Sequence, residues 1–167
     1  NGMGRATAKL FAEYGAKVAA SDLHQDSVNE TVEEITNADY DARAWQLDVA
    51  DKEAIHKTIQ SAAEHYGGLD VLVNNAGVSP RTAIDDEDYE ERFAKSVSIL
   101  LTSHTRTIRA ALPYFRESGS PRILNIASTE GLGAIPGNSP YTSSKHGVVG
   151  VTRSLATALA QDGNNVN

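Results

Sequence analysis

The chain has 167 residues, 40% of them hydrophobic and 22% charged, which suits one domain with a buried core and excludes a disordered segment. Its 15 basic residues against 22 acidic ones give a formal net charge of -7, which argues against broad attraction to nucleic acid or to an anionic membrane. With no cysteine there are no disulfides or thiolate metal sites, and no metal site is expected; a cytoplasmic location is expected, and no apolar run reaches membrane-spanning length.

Helical and strand patterns alternate from end to end, the arrangement of an α/β protein with a parallel sheet. Residues from about Gly2 to Tyr14 place Ala6, Leu10 and Tyr14 on one helical face, and Gly15 terminates it. Lys17 to Ser21 reads as a buried strand ending at Asp22, followed by a polar helix from about Asp26 to Thr36. Ala42 to Leu47 reads as a strand closing on Asp48, and Asp51 is placed to cap a helix that reaches about Tyr66, where Gly67-Gly68 breaks it. Val71-Leu72-Val73 is a short apolar strand buried on both faces. A long helix from about Asp86 to Arg116, in which a bend is allowed, leads to a strand from Arg122 to Ala127, and a last helix covers about Tyr141 to Ala160. No repeat, low-complexity tract or linker divides the chain, so residues 1–167 are read as one domain.

Ser128, Tyr141 and Lys145 carry the chemistry. In Tyr141-Thr142-Ser143-Ser144-Lys145 a helical i,i+4 spacing sets phenol and ammonium on one face, and the cation favours the phenolate. A free phenol titrates near ~10, so bringing it to about 7 takes roughly 4 kcal/mol, much of which one close, partly desolvated cation supplies. Ser128 would donate a hydrogen bond to a substrate oxygen where negative charge develops. Together the three can protonate a carbonyl, which points to an oxidoreductase. Taken alone, a tyrosine and lysine at this spacing also occur on solvated helix faces, so the other motifs must carry the assignment.

At the amino end, Gly2-Met3-Gly4 sits at a helix start, where a glycine pair lets backbone amides approach a pyrophosphate. Asp22, at the end of the next strand, would accept the hydroxyls of an adenosine ribose and repel a 2'-phosphate; Leu23 follows it and no cation stands nearby, which favours NAD over NADP. Leu47-Asp48-Val49 and Asn74-Asn75-Ala76-Gly77 close strands at their carboxyl ends, where open α/β sheets bind ligands. Paired asparagines at a strand end also fit simple loop chemistry, in which they bind their own backbone.

In this order the five stretches resemble the short-chain dehydrogenase/reductase family, over the whole chain. The resemblance implies a Rossmann-like doubly wound parallel sheet with helices on both faces, and hydride transfer between NAD(H) and a secondary alcohol or ketone. It implies that Asp48 contacts adenine, that Asn74 and Gly77 line the adenosine side, and that Lys145 holds the nicotinamide ribose while tuning Tyr141, the general acid/base. The candidate cofactor-binding positions are Gly2, Met3, Gly4, Asp22, Leu23, Asp48, Val49, Asn74, Ala76, Gly77, Tyr141 and Lys145. A homo-oligomer, tetramer or dimer, is implied through the helices starting near Asp86 and Tyr141.

Three departures accompany the resemblance. The family pattern is Thr-Gly-x-x-x-Gly-x-Gly after a first strand, and the chain opens at its last variable residue; the first strand, expected at the centre of the order 3-2-1-4-5 between Lys17–Ser21 and Val71–Val73, is not in it. Gly163 to Asn167 resembles the entry to a sixth strand, with the later segments also absent, so a partial domain is expected. Leu100 stands where the family usually has an asparagine that anchors a proton-relay water, unless the alignment shifts by one turn. The relay is then rerouted through Ser98 or Ser103, or slow, and the alternative reading is an impaired NAD-binding module or an assembly partner. His104 and His146 are expected at a surface or interface, and Arg106 and Arg109 as ion-pair partners. The stretch from Glu130 to Pro140, with Leu132, Ala134 and Ile135, is expected to line the pocket of a nonpolar or moderately bulky substrate.

Overall fold

Strands and helices alternate along the computed structural model, which describes residues 2–79 and 81–167. Helix α1 (Gly2–Glu13) leads to β1 (Val18–Asp22), α2 (Gln25–Thr36), β2 (Ala42–Gln46), α3 (Lys52–Tyr66) and β3 (Val71–Asn74). Then come α4 (Tyr89–Val97), α5 (Ser103–Phe115), β4 (Arg122–Asn125), α6 (Ser139–Leu159) and β5 (Asn165–Val166). All ladders are parallel: β1 pairs with β2 from Val18↔Ala42 to Asp22↔Gln46, β3 with β4 from Val71↔Arg122 to Asn74↔Asn125, and β4 with β5. Among the described residues the two ladders form separate sheets, β1-β2 and β3-β4-β5, so β1 and β3 each keep one edge without a ladder partner.

Local chemistry sets the element ends. The Asp51 carboxylate accepts from the backbone N–H of Glu53 and Ala54 and starts α3, and Gly67 ends it at φ 78°, a left-handed turn that glycine adopts without strain. Within the predicted helix from Asp86 to Arg116, helical residues run without a gap from Tyr89 to Phe115 and change pitch partway, where the sequence allows a bend. Asp86 accepts from the Thr82 hydroxyl and the Ala83 N–H, which keeps the preceding residues in a turn, and α4 begins only at Tyr89. Between α4 and α5, Ser98–Thr102 form a wide π-helical turn. That turn carries two leucines to different neighbours: Leu100 packs at Gly77 beyond β3, and Leu101 lies over Gly147 of α6, where a Cβ would stand 2.6 Å from Leu101 Cδ2. Pro140 falls in the first turn of α6, where its missing N–H costs nothing.

The core lies between α3, α5 and the β3-β4-β5 sheet, with Ile55, Ile59, Ile108, Phe115, Ile123 and Val166 buried together. It holds the carboxyl ends of β3 and β4 beside α5 and α6. No helix among the described residues is long and apolar enough to cross a membrane, and no group of His, Cys, Asp or Glu there could hold a metal ion.

Candidate active site

The first turns of α6 bring Tyr141 and Lys145 together. The Lys145 Nζ lies 5.6 Å from the centre of the Tyr141 ring and donates to the Ile126 carbonyl, just past β4, at 2.6 Å. Lys145 is buried, and desolvation lowers its pKa, because an ammonium away from water favours losing a proton. Ser128 opens a single turn, Thr129–Gly131; its Oγ accepts from the Glu130 N–H at 3.2 Å, which leaves the hydroxyl proton for another acceptor. Gly131 fixes that turn against α6: a Cβ there would come 2.9 Å from Val149 Cγ2 and 3.0 Å from the Lys145 carbonyl oxygen. The serine turn therefore packs on the helix at the lysine.

Glu130 adds a clamp that sequence reasoning misses. Its carboxylate is buried and accepts from Asn138 Nδ2 at 3.1 and 3.0 Å and from the Thr142 hydroxyl at 2.6 Å, tying the Ser128 turn to the residue after Tyr141. Ala134 and Ile135 line an open groove of about 590 Å³ with Thr82 and Ile84, whereas Glu130 points into its clamp and Leu132 is 77% exposed. Neither Ser128 nor Tyr141 lines that groove.

At the other end, Gly4 lies against Asn75: a Cβ there would stand 2.6 Å from Asn75 Nδ2, so glycine lets that side chain pack on the start of α1. Gly2 has φ 55°, and Met3 and Leu23 are exposed. Asp22 Oδ1 accepts from the His24 N–H and Asp48 Oδ1 from the Ala50 N–H, so each carboxylate orders the turn after its strand; Val49 behind Asp48 is half-buried. Ala76 and Gly77 are exposed. The Asn74 side chain is committed elsewhere: Nδ2 donates to Asn125 Oδ1 at 2.9 Å, Oδ1 accepts from the Thr107 hydroxyl at 2.7 Å, and Asn125 Nδ2 donates on to the Thr152 hydroxyl at 3.0 Å. This buried chain joins β3, β4, α5 and α6, and the Asn74 carbonyl in turn accepts from the Ile126 N–H at 2.9 Å.

The α5 side corrects two expectations. His104 is not at the surface: it is 2% exposed, and burial, with the charge of Lys145 second, pushes its pKa down to about 4, so the ring is neutral. It lies on the helix face that also buries Leu100, Thr107 and Ala111, a face the fold turns inward whatever its polarity. Arg106 donates to the Ala50 carbonyl at 2.9 Å rather than pairing with a carboxylate, while Arg109 and His146 are exposed. Leu100 is fully buried in the wide turn, and the Ser103 hydroxyl donates at 2.6 Å to the Ile99 carbonyl of that same turn.

A sequence profile described as short chain dehydrogenase matches residues 1–167. The chain belongs to the short-chain dehydrogenase family. It is 34% identical over 166 residues to an uncharacterized oxidoreductase, YxjF, of Bacillus subtilis, covering 99% of this chain and 64% of that protein. It is 32% identical to the 3-oxoacyl-[acyl-carrier-protein] reductase FabG of Thermotoga maritima, covering 96% of this chain and 65% of the relative. The crystal structure of a short chain dehydrogenase from Mycobacterium smegmatis superposes with TM-score 0.94 at 35% identity, covering 100% of this chain and 70% of that one. This short-chain dehydrogenase chain spans 62 to 66% of the length of the curated relatives it matches.

Proposed function

We propose that the chain carries the proton-transfer and nucleotide-binding residues of an NAD-dependent oxidoreductase acting on a secondary alcohol or ketone. The observation that carries this reading is the α6 turn, with a buried Lys145 ammonium 5.6 Å from the Tyr141 ring and the Ser128 turn packed on the same backbone. The glycine-containing start of α1 and the carboxylates that close the turns after β1 and β2 support a dinucleotide as the ligand at the other end. Gly2, Met3, Gly4, Asp22, Leu23, Asp48, Val49, Asn74, Ala76 and Gly77 would hold its adenosine and pyrophosphate, with Tyr141 and Lys145 at the nicotinamide end. When bound, the dinucleotide supplies the hydride donor or acceptor.

Tyr141 gives or takes the proton on the substrate oxygen, the Lys145 charge favours the phenolate, and Ser128 donates a hydrogen bond to that oxygen. The Asp22 carboxylate selects a ribose diol over a 2'-phosphate, hence NAD over NADP. The names of two relatives, the 3-oxoacyl-[acyl-carrier-protein] reductase and a D-beta-hydroxybutyrate dehydrogenase of Rhizobium meliloti, support an oxo or hydroxy carbon as the reacting centre. We assign homo-oligomer contact to the exposed stripe of α6 that includes Ser143, His146, Gly150 and Arg153. The full-length protein, mixed with NAD and cyclohexanol or 3-hydroxybutyrate, should form NADH. NAD binding without turnover across such alcohols would favour a second reading, a nucleotide-binding module, which the apolar Leu100 supports; absence of both would overturn the two together.

A further inference from the structure

We propose that Glu130 is a positioning residue: its side chain, bound to Asn138 and Thr142, sets the Ser128 hydroxyl against Tyr141. The proposal rests on the reading of Ser128 and Tyr141 given above. Glu130 reaches both sides of the site at once. Its backbone N–H donates to Ser128 Oγ at 3.2 Å, and its carboxylate accepts from the hydroxyl of Thr142, the residue after Tyr141, at 2.6 Å. The serine end of this link is stiff, because the residues after Ser128 form one tight turn in which the N–H groups of Gly131, Leu132 and Gly133 donate to the Ser128 and Thr129 carbonyls at 2.9, 3.1 and 3.0 Å. The tyrosine end is stiff too. The Thr142 N–H donates to the Asn138 carbonyl at 2.9 Å, and Asn138 Nδ2 donates to both Glu130 oxygens, so the carboxylate closes a ring with the first turn of α6.

The chain that connects Ser128 to Tyr141 passes through Leu132 and Ile135, both exposed, and residues 132–138 belong to no helix or strand. The side-chain link, rather than this stretch of backbone, therefore fixes how the serine stands to the tyrosine. Its chemistry points the same way. Glu130 and Asn138 are buried, and the three hydrogen bonds to the carboxylate come from neutral side chains. Asn138 Oδ1 is left without a partner, because the amide must turn its Nδ2 to the two acceptor oxygens. An apolar side chain would fill the same space without burying these groups; what the carboxylate adds is direction, since satisfied buried hydrogen bonds fix one orientation and apolar contact does not. Displacing a group at a reacting centre by about 1 Å lowers rates roughly 10²-fold, so the clamp acts on turnover and not on dinucleotide affinity.

In the full-length protein, Glu130→Met keeps the side-chain length and loses both oxygens. With rates taken well below the melting temperature, kcat should fall roughly 10²-fold while the NAD dissociation constant stays at the parental value. Glu130→Gln should keep most of the rate: its oxygen still accepts from Thr142, and Asn138 can turn its amide so that Oδ1 accepts from the new Nε2. Thr142→Val should behave like Glu130→Met, and Thr142→Ser should recover. In a Ser128→Ala background Thr142→Val should cost less than about threefold more, because the hydroxyl it positions is gone. Parental kcat in Glu130→Met and Thr142→Val, the same fold loss with and without Ser128, or NAD affinity falling together with the rate would overturn the proposal. Crystal structures of the parent and of Thr142→Val need no substrate. Ser128 Oγ should lie further from the Tyr141 oxygen by about 1 Å in the variant. An unmoved serine would overturn the link. A moved serine in a protein that oxidises no alcohol would keep the link and overturn the oxidoreductase reading.

Discussion

Replacing Asn74 by alanine should lower folding stability by about 3 kcal/mol and leave NAD affinity nearly unchanged. The substitution deletes the bonds to Asn125 Oδ1 at 2.9 Å and from the Thr107 hydroxyl at 2.7 Å. The first is worth about 1 kcal/mol net, and leaving the buried Asn125 oxygen without that donor adds about 1–2 kcal/mol more. The second contributes a smaller amount, because the Thr107 hydroxyl also reaches the Ser103 and His104 carbonyls at 3.0 and 2.9 Å. Against a domain stability of about 5–15 kcal/mol the loss is large. Urea denaturation followed by circular dichroism reads it as a lower midpoint at unchanged slope. In a double-mutant cycle with Asn125→Ala the two costs should fall short of additive by at least ~0.5 kcal/mol, since both remove the same bond. A loss under ~0.5 kcal/mol together with weakened NAD binding would refute the reasoning and make the Asn74 side chain a ligand contact instead of a joint.

Gly131→Ala would put a methyl 3.0 Å from the Lys145 carbonyl oxygen and 2.9 Å from Val149 Cγ2; lifting the Ser128 turn off α6 should cost about 1–3 kcal/mol and lower turnover more than NAD affinity, read from kcat and a binding titration. Asp22→Ala should narrow or reverse the preference for NAD over NADP by about 1–2 kcal/mol, measured as the ratio of the two dissociation constants. Burial holds the His104 pKa at about 4 when folded against an ordinary 6.5, so the unfolded chain binds a proton that the folded one does not. Stability from this group is whole above the unfolded pKa and is lost as pH falls toward the folded one, by up to roughly 3 kcal/mol, and that part of the acid sensitivity should vanish in His104→Leu.

Much of the fold is legible because local chemistry and tertiary structure agree. Asp51 and Gly67 bound α3 as their residue types require, and the apolar run before Asn74 forms a strand. Contrary to expectation neither it nor β1 is buried, Val71 being 41% exposed, because each lies at a sheet edge among the described residues. The Tyr141 and Lys145 pairing follows from helical spacing alone. What escapes the sequence is non-local or hidden by residue type. The Glu130 clamp joins positions 130, 138 and 142 across a turn and a helix start, and a lone glutamate reads as solvated. The wide turn at Ser98–Thr102 has the same apolar content as an α-helical turn, and only the contacts of Leu100 and Leu101 with Gly77 and Gly147 reveal it. His104 carries a usable signal: it shares i,i+4 spacing with Leu100 and i,i+3 spacing with Thr107, and the periodicity of that face outweighs the polarity of one ring. Asn125 has one too, since a second asparagine closes β4 in register with the one that closes β3.

The most direct test of the account is Tyr141→Phe in the full-length protein, with turnover and NAD dissociation constant measured on the same preparation. Removing one phenolic oxygen should lower turnover by about 10²–10⁴-fold while the dissociation constant and melting temperature stay at parental values, because the ring still packs beside Lys145. Turnover at the parental rate would contradict the assignment of proton transfer to Tyr141.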